Sequence, residues 1–200
     1  MPVNLVTNHY RFGINELAEN THGWHAAIDT NPATGVIAVN TTFLLRFNVQ
    51  ETGATAAANV DNQFQVALNG GTFQNITTSS TIVKAVAATP LTGGGNCTQR
   101  VPGTGTFETT GAGQTVTGLS GGTANDIAIS GCSETECGLQ IVGSDVAEGD
   151  VLTFRLTSPD FTITNNVVPT LTIPTTPKFT LNNYEFIRVG DGMAMSEKIR

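Results

Sequence analysis

Three separate stretches of the chain alternate strictly between apolar and polar side chains, and this limits the fold more than any other feature. Phe43, Leu45, Phe47 and Val49 alternate with Leu44, Arg46, Asn48 and Gln50, Leu44 being the one apolar exception. Phe64, Val66 and Leu68 alternate with Gln63, Gln65, Ala67 and Asn69, and Leu152, Phe154 and Leu156 with Thr153, Arg155 and Thr157. In an extended chain successive side chains point to opposite faces, so this period predicts strands with one face on a core and the other in water. Thr and Val crowd the segments between, and both are strand formers. Asn69-Gly70-Gly71 separates two such runs and reads as a hairpin turn. Glycine clusters at 93–96, 111–113 and 120–122 mark loops, and 144–150 reads as a corner feeding the next strand. Strands are expected near 8–13, 42–50, 61–69, 72–78, 81–88, 104–109, 126–130, 137–143, 150–157 and 166–173. Short strands at this spacing predict a sandwich or barrel. Helix is expected at most as short turns in 14–20 and 23–29, and 54–58 reads as a loop.

A chain of 200 residues is long enough for one large domain with its own core. Lysine occurs only at Lys84, Lys178 and Lys198, which argues against a helical bundle. The net charge of −7 argues against binding nucleic acid through phosphate neutralisation. No apolar run approaches the roughly 20 residues of a membrane span, so no membrane association is expected. The Met1-Pro2-Val3-Asn4-Leu5-Val6-Thr7 start has neither a basic nor an apolar signal region, so no Sec-type signal is expected. Pro174 and Pro177 end the last strand, and Phe179, Leu181, Tyr184, Phe186 and Ile187 are too apolar for a free tail. The expected division is a sandwich with an N-terminal arm over 1–173 and an extension over 174–200 docked on neighbouring subunits.

Candidate chemistry is sparse. No Gly-x-Ser-x-Gly elbow is present, and all three histidines fall in the first 25 residues, so an enzyme is not expected. His22-Gly23-Trp24-His25, followed by Asp29, has two imidazoles at metal-ligand spacing but no third ligand at a diagnostic distance. It reads as a loop anchored by its tryptophan. Asp145, Glu148 and Asp150 form an acidic corner without the calcium-loop pattern. Neither a metal nor a cofactor is expected. Cys97, Cys132 and Cys137 leave two readings open: three reduced thiols, or a Cys132–Cys137 bridge with one thiol left over. Three Asn-x-Thr matches, at Asn40, Asn75 and Asn96, are what a Thr- and Asn-rich chain yields by chance. A surface low in charge and rich in Thr, Asn and Gln suits close, hydrogen-bonded interfaces.

One set of residues carries a resemblance. It comprises His9-Tyr10-Arg11-Phe12, Trp24-His25-Ala26-Ala27-Ile28-Asp29-Thr30-Asn31, Leu45-Arg46-Phe47-Asn48-Val49, the Gln65 to Phe73 run, and Gln140-Ile141-Val142 with Asp145-Val146-Ala147-Glu148-Gly149-Asp150. Together they resemble immunoglobulin-like β-sandwich proteins in the virions of tailed bacteriophages, over roughly 9–173. The resemblance implies an all-β, immunoglobulin-like or jelly-roll-like antiparallel sandwich with extended N- and C-terminal arms. It implies a virion structural protein made in the host cytoplasm, most simply a capsid decoration (cement) protein on the outer shell. Its partners would be the major capsid protein and copies of itself, with a trimer favoured. Tyr10, Phe12, Phe179, Leu181, Tyr184, Phe186, Ile187, Met193 and Met195 are then the expected intersubunit contacts. A tail or head–tail component, or a carbohydrate-binding surface module, is the alternative.

Overall fold

The computed structural model describes residues 2–108, 113–120 and 125–174, together with the backbone of 184–189 and 192–197. Among these residues there is no helix. The strands are β1 (Leu5–Thr7), β2 (Tyr10–Ile14), β3 (Thr42–Glu51), β4 (Asn62–Leu68), β5 (Gln74–Asn75), β6 (Val83–Ala85) and β7 (Gln114–Thr115). They continue with β8 (Leu119–Ser120), β9 (Cys132–Ile141), β10 (Val151–Thr157), β11 (Ile163–Asn165), β12 (Thr170–Thr172), β13 (Tyr184–Val189) and β14 (Gly192–Glu197).

Two sheets share one core. The larger runs β11-β1-β3-β9-β6, with β2 also on β3 and β7 also on β9. The smaller runs β12-β10-β4-β5, with β8 also on β4. The spine of the larger sheet is the antiparallel pair β3–β9, in register from Thr42↔Gln140 to Gln50↔Cys132. The β4–β10 pair plays that part in the smaller sheet, with Phe64↔Leu156, Val66↔Phe154 and Leu68↔Leu152. The apolar half of each alternation meets the other across the interior: Phe43, Leu45, Phe47 and Val49 with Phe64, Val66, Leu152, Phe154 and Leu156. Phe154 stands edge-on to Phe12 and Phe43, with ring centroids 6.2 and 6.4 Å apart, and Phe47 packs on Phe64 at 5.9 Å. Such tilted aromatic contacts add to the area that these rings remove from water.

The hairpin turn between β4 and β5 is where the sequence placed it. Asn69 and Gly70 both take positive φ, 51° and 72°, the backbone that a tight two-residue hairpin turn requires. Several expectations are corrected. The pairing is not wholly antiparallel, because β1–β11 and β7–β9 run parallel. The expected helical turns at 14–20 and 23–29 are irregular loop. Within the described residues the expected strands 104–109 and 126–130 reduce to single bridges, Phe107↔Cys132 and Ala57↔Ile127, residue 109 lying outside them. Residues 5–7 of the expected N-terminal arm are β1, hydrogen-bonded between β3 and β11. Finally, β13 and β14 form a two-stranded antiparallel ribbon of their own, from Tyr184↔Glu197 to Val189↔Gly192.

Candidate functional site: a buried charge cluster under two loops

The polar half of β3 was expected in water, and it is buried. Ten-residue strands β3 and β9 are covered on both faces, so Arg46, Asn48, Gln50, Glu134 and Glu136 are as inaccessible as the phenylalanines opposite. The cover comes from segments 15–29 and 86–108. The second of these tracks β3 along its length. Ala88 and Leu91 pack on Leu44, the Thr98 carbonyl meets Arg46, and Thr104 exchanges two hydrogen bonds with the Gln50 side chain. Over Asn48 and Cys132 the segment passes so closely that a Cβ at Gly103 would sit 2.5 Å from the Cys132 sulfur.

The register puts Arg46 beside Glu136 on β9 and one row from Glu134, all on the covered face. Arg46 Nη1 donates to Glu134 at 2.6 Å and to the Thr98 carbonyl at 2.7 Å. Its Nη2 donates to Glu136 at 2.7 Å and to Glu19, which the first loop supplies. Burial disfavours the Arg46 charge, but the facing carboxylates, Glu136 foremost, hold the guanidinium well above its ordinary pKa. His22 sits directly behind Glu136. Its Nε2 lies 3.2 Å from that carboxylate and its Nδ1 3.0 Å from the Gly23 carbonyl. Both neighbours are acceptors, so a ring N–H has a partner on either side. Arg46 and Arg100 together face Glu19, Glu134 and Glu136.

The loops are bolted to this cluster rather than laid over it. Glu134 accepts from the backbone N–H of Arg100 and of Val101, each at 2.8 Å, and Glu19 accepts from the Thr98 N–H at 3.0 Å. Arg100 reaches across to the first loop, where its two Nη atoms donate to the carbonyls of Glu19 and His22 at 2.7 Å. Burial pushes the Glu136 carboxyl up, but the Arg46 charge and the His22 and Arg46 hydrogen bonds outweigh it, so its pKa lies below the ordinary value. For Glu134 burial wins over the same kind of partners, and its pKa lies above. This arrangement is a clamp: its polar groups face one another across the sheet and loops, and removing any one strands a buried charge.

The sequence candidates fall elsewhere. His22 is in the clamp and His25 is not: burial lowers the His25 pKa against the pull of Glu16. His9 instead pairs with Asp29 at 2.6 Å, and Asp29 also accepts from the Tyr10 N–H. Asp150 caps the 144–150 corner, accepting from the Ala147 N–H and from Asn69, both at 2.7 Å. Among the described residues no three His, Cys, Asp or Glu side chains group as metal ligands. Of the two cysteine readings, three reduced thiols is the one found and the Cys132–Cys137 bridge is not: all three cysteines are free and buried. Cys132 and Cys137 lie five residues apart on one extended strand, on opposite faces, roughly 16 Å from end to end. Burial raises the pKa of all three, the reverse of an activated nucleophile.

Of the expected intersubunit contacts, Tyr10 and Phe12 are interior residues of this chain, buried on β2 against Phe47 and Phe43. Tyr184, Phe186 and Ile187 fall on β13, and Met193 and Met195 on β14, with Phe186↔Met195 and Arg188↔Met193 directly opposed. Phe179 and Leu181 lie outside the described residues. On the outer side of the smaller sheet a groove of about 330 Å³ is lined by Gln63, Gln65, Asn75, Leu119 and Thr157. Its amides are already engaged: Gln63 donates to three carbonyls and Gln65 joins Asn75 to Arg155. Glu19, Glu134, Glu136 and Arg100 were missed from sequence. The available signal was the period of two across Cys132 to Cys137, which puts Glu134 and Glu136 on one face. No family model, curated protein or solved structure matches the chain.

Proposed function

We propose that the chain is a structural protein of a tailed-bacteriophage virion, most simply a capsid decoration protein that binds the outer shell as an oligomer, with a trimer favoured. In this reading the two sheets are an immunoglobulin-like or jelly-roll-like sandwich, and the partners are the major capsid protein and copies of this chain. The observation that carries the proposal is the C-terminal ribbon, which among the described residues pairs within itself and with neither sheet. A two-stranded ribbon is marginal in water on its own. One whose strands carry Tyr184, Phe186, Ile187, Val189, Met193 and Met195 gains stability from a surface to lie on. Many identical weak contacts of this kind, repeated over a shell, sum to tight attachment.

The test is co-sedimentation of the full chain, and of a variant lacking 178–200, with decoration-free capsids, circular dichroism confirming that the variant keeps its sheets. The full chain is expected to bind in a simple ratio to the capsid protein and the folded truncation to stay in the supernatant. A truncation that decorates at full occupancy removes the ribbon from the mechanism. A full chain that does not co-sediment moves the reading to a tail component or a carbohydrate-binding module, and self-assembly into rings or tubes favours the tail.

A further inference from the structure

The covered face of the larger sheet ends in a stack of arginines on the protein's single tryptophan. The guanidinium carbons of Arg11 and Arg100 lie 4.5 and 4.4 Å from the centroid of the Trp24 ring, with Arg46 behind at 5.7 Å. Stacking of this kind holds a guanidinium in one orientation while leaving its edge free to donate. Three of the arginines described with their side chains are paired. Arg46 is held by three glutamates, Arg100 by two carbonyls, and Arg155 by Gln65 and the Phe73 ring at 4.0 Å. Arg11 differs. Its Nε donates to the Ala26 carbonyl at 3.1 Å, which fixes the plane of the group, but neither Nη atom has a hydrogen-bond or ion-pair partner among the described residues. The acidic side chains of the same loop are engaged elsewhere: Glu16 accepts from the Gly23 N–H, Glu19 from Arg46 and Thr98, and Asp29 from the Tyr10 N–H.

We propose that Arg11, held over the Trp24 ring, is a receptor for a single carboxylate presented by a segment of a partner protein. Its two free Nη atoms form the fork that the two oxygens of a carboxylate fit, and the group is already oriented, so little side-chain freedom is lost on binding. Burial, which lowers the Arg11 pKa with no facing carboxylate to offset it, makes an incoming anion more favourable than it would be at an open surface. A polyphosphate chain fits the same fork, but the net charge of −7 opposes any continuous line of anions far more than it opposes one carboxylate on an otherwise neutral segment. This inference is independent of the virion reading, because it concerns the isolated chain.

Trp24 makes the test direct, since it is the protein's one tryptophan and Arg11 lies over its ring. The full chain is titrated with an end-blocked peptide carrying one glutamate among neutral residues at low salt, alongside Arg11→Gln, Arg11→Lys and Arg155→Gln. The expected result is a saturable change in emission that weakens as salt rises. The affinity is expected to fall about tenfold or more in Arg11→Gln, to fall less in Arg11→Lys, which keeps the charge but loses the fork, and to stay unchanged in Arg155→Gln. No saturable change with the unaltered chain, or equal binding by a folded Arg11→Gln variant, overturns the proposal. Equal or tighter Arg11-dependent binding of a hexanucleotide overturns the assignment to a protein carboxylate.

Discussion

The outer faces of the two sheets begin from the same sequence pattern and end differently. On β10 the alternation resolves as expected: Leu152, Phe154 and Leu156 are buried, and Thr153, Arg155 and Thr157 reach toward water. On β3 the same alternation puts Arg46, Asn48 and Gln50 on a face as closed as the core. Arg155 leans on Phe73 and Gln65 at the surface, where a lost contact is replaced by solvent. Arg46 is closed in by three carboxylates, and its loss strands them. The two faces show that a period of two fixes which residues share a side, while loops far away in sequence decide whether that side is wet.

The sharpest break of the comparison is to delete the charge on each face. Arg46→Met is expected to cost about 3–5 kcal/mol, because three glutamates lose their buried counter-charge. Arg155→Met is expected to cost under about 1 kcal/mol. Urea unfolding followed by circular dichroism compares both, and similar losses for the two variants would erase the distinction between the faces.

A second way to sharpen it is pH. Glu136 has a folded pKa below its ordinary value of about 4.3, so the stability it contributes is full above that value and is lost as the pH falls through the lower folded value. Glu134 has the opposite sign: its folded pKa is raised, so its protonation favours the fold and that benefit disappears as the pH rises through the raised value. Between pH 7 and pH 3, Glu136→Gln should therefore lose less stability toward the acid end than the unaltered chain, and Glu134→Gln should lose more.

Thiol labelling separates the faces without a substitution. Cys132 lies under the loop cover, Cys97 is buried within the covering segment itself, and Cys137 lies in the shared core. All three are expected to resist a maleimide in the folded state. Near the unfolding midpoint Cys97 and Cys132 should label no faster than Cys137, because cover and sheet open together. The smallest effect is expected at Thr153→Ala on the open face, within about 0.5 kcal/mol of no change in the same urea assay.

Much of the framework was legible. The strands at β3, β4 and β10 follow from their alternation, and the β4–β5 turn from Asn69-Gly70-Gly71, because both signals are local. The parallel strands β1, β7 and β11 were not legible: two or three residues carry no period, and their pairing is decided by where distant segments arrive. Strand β9 was read only over its apolar second half, since Ser133, Thr135, Glu134 and Glu136 look like loop until a partner neutralises them. The clamp was invisible for the same reason. Glu19, Arg46, Arg100 and Glu134 share no spacing in the chain, and only the fold brings them within hydrogen-bonding distance.

The central claim is that the loop cover and the larger sheet are one cooperative unit held by the Arg46 cluster. The most direct measurement is a single urea titration followed by two probes, Trp24 emission for the cover and far-ultraviolet circular dichroism for the sheets. Coincident transitions in the unaltered chain, with the tryptophan transition moving to lower urea than the dichroism in Arg46→Met, are the predicted result. A tryptophan transition that already precedes the dichroism in the unaltered chain would show that the loops are an independent lid, and would contradict the account.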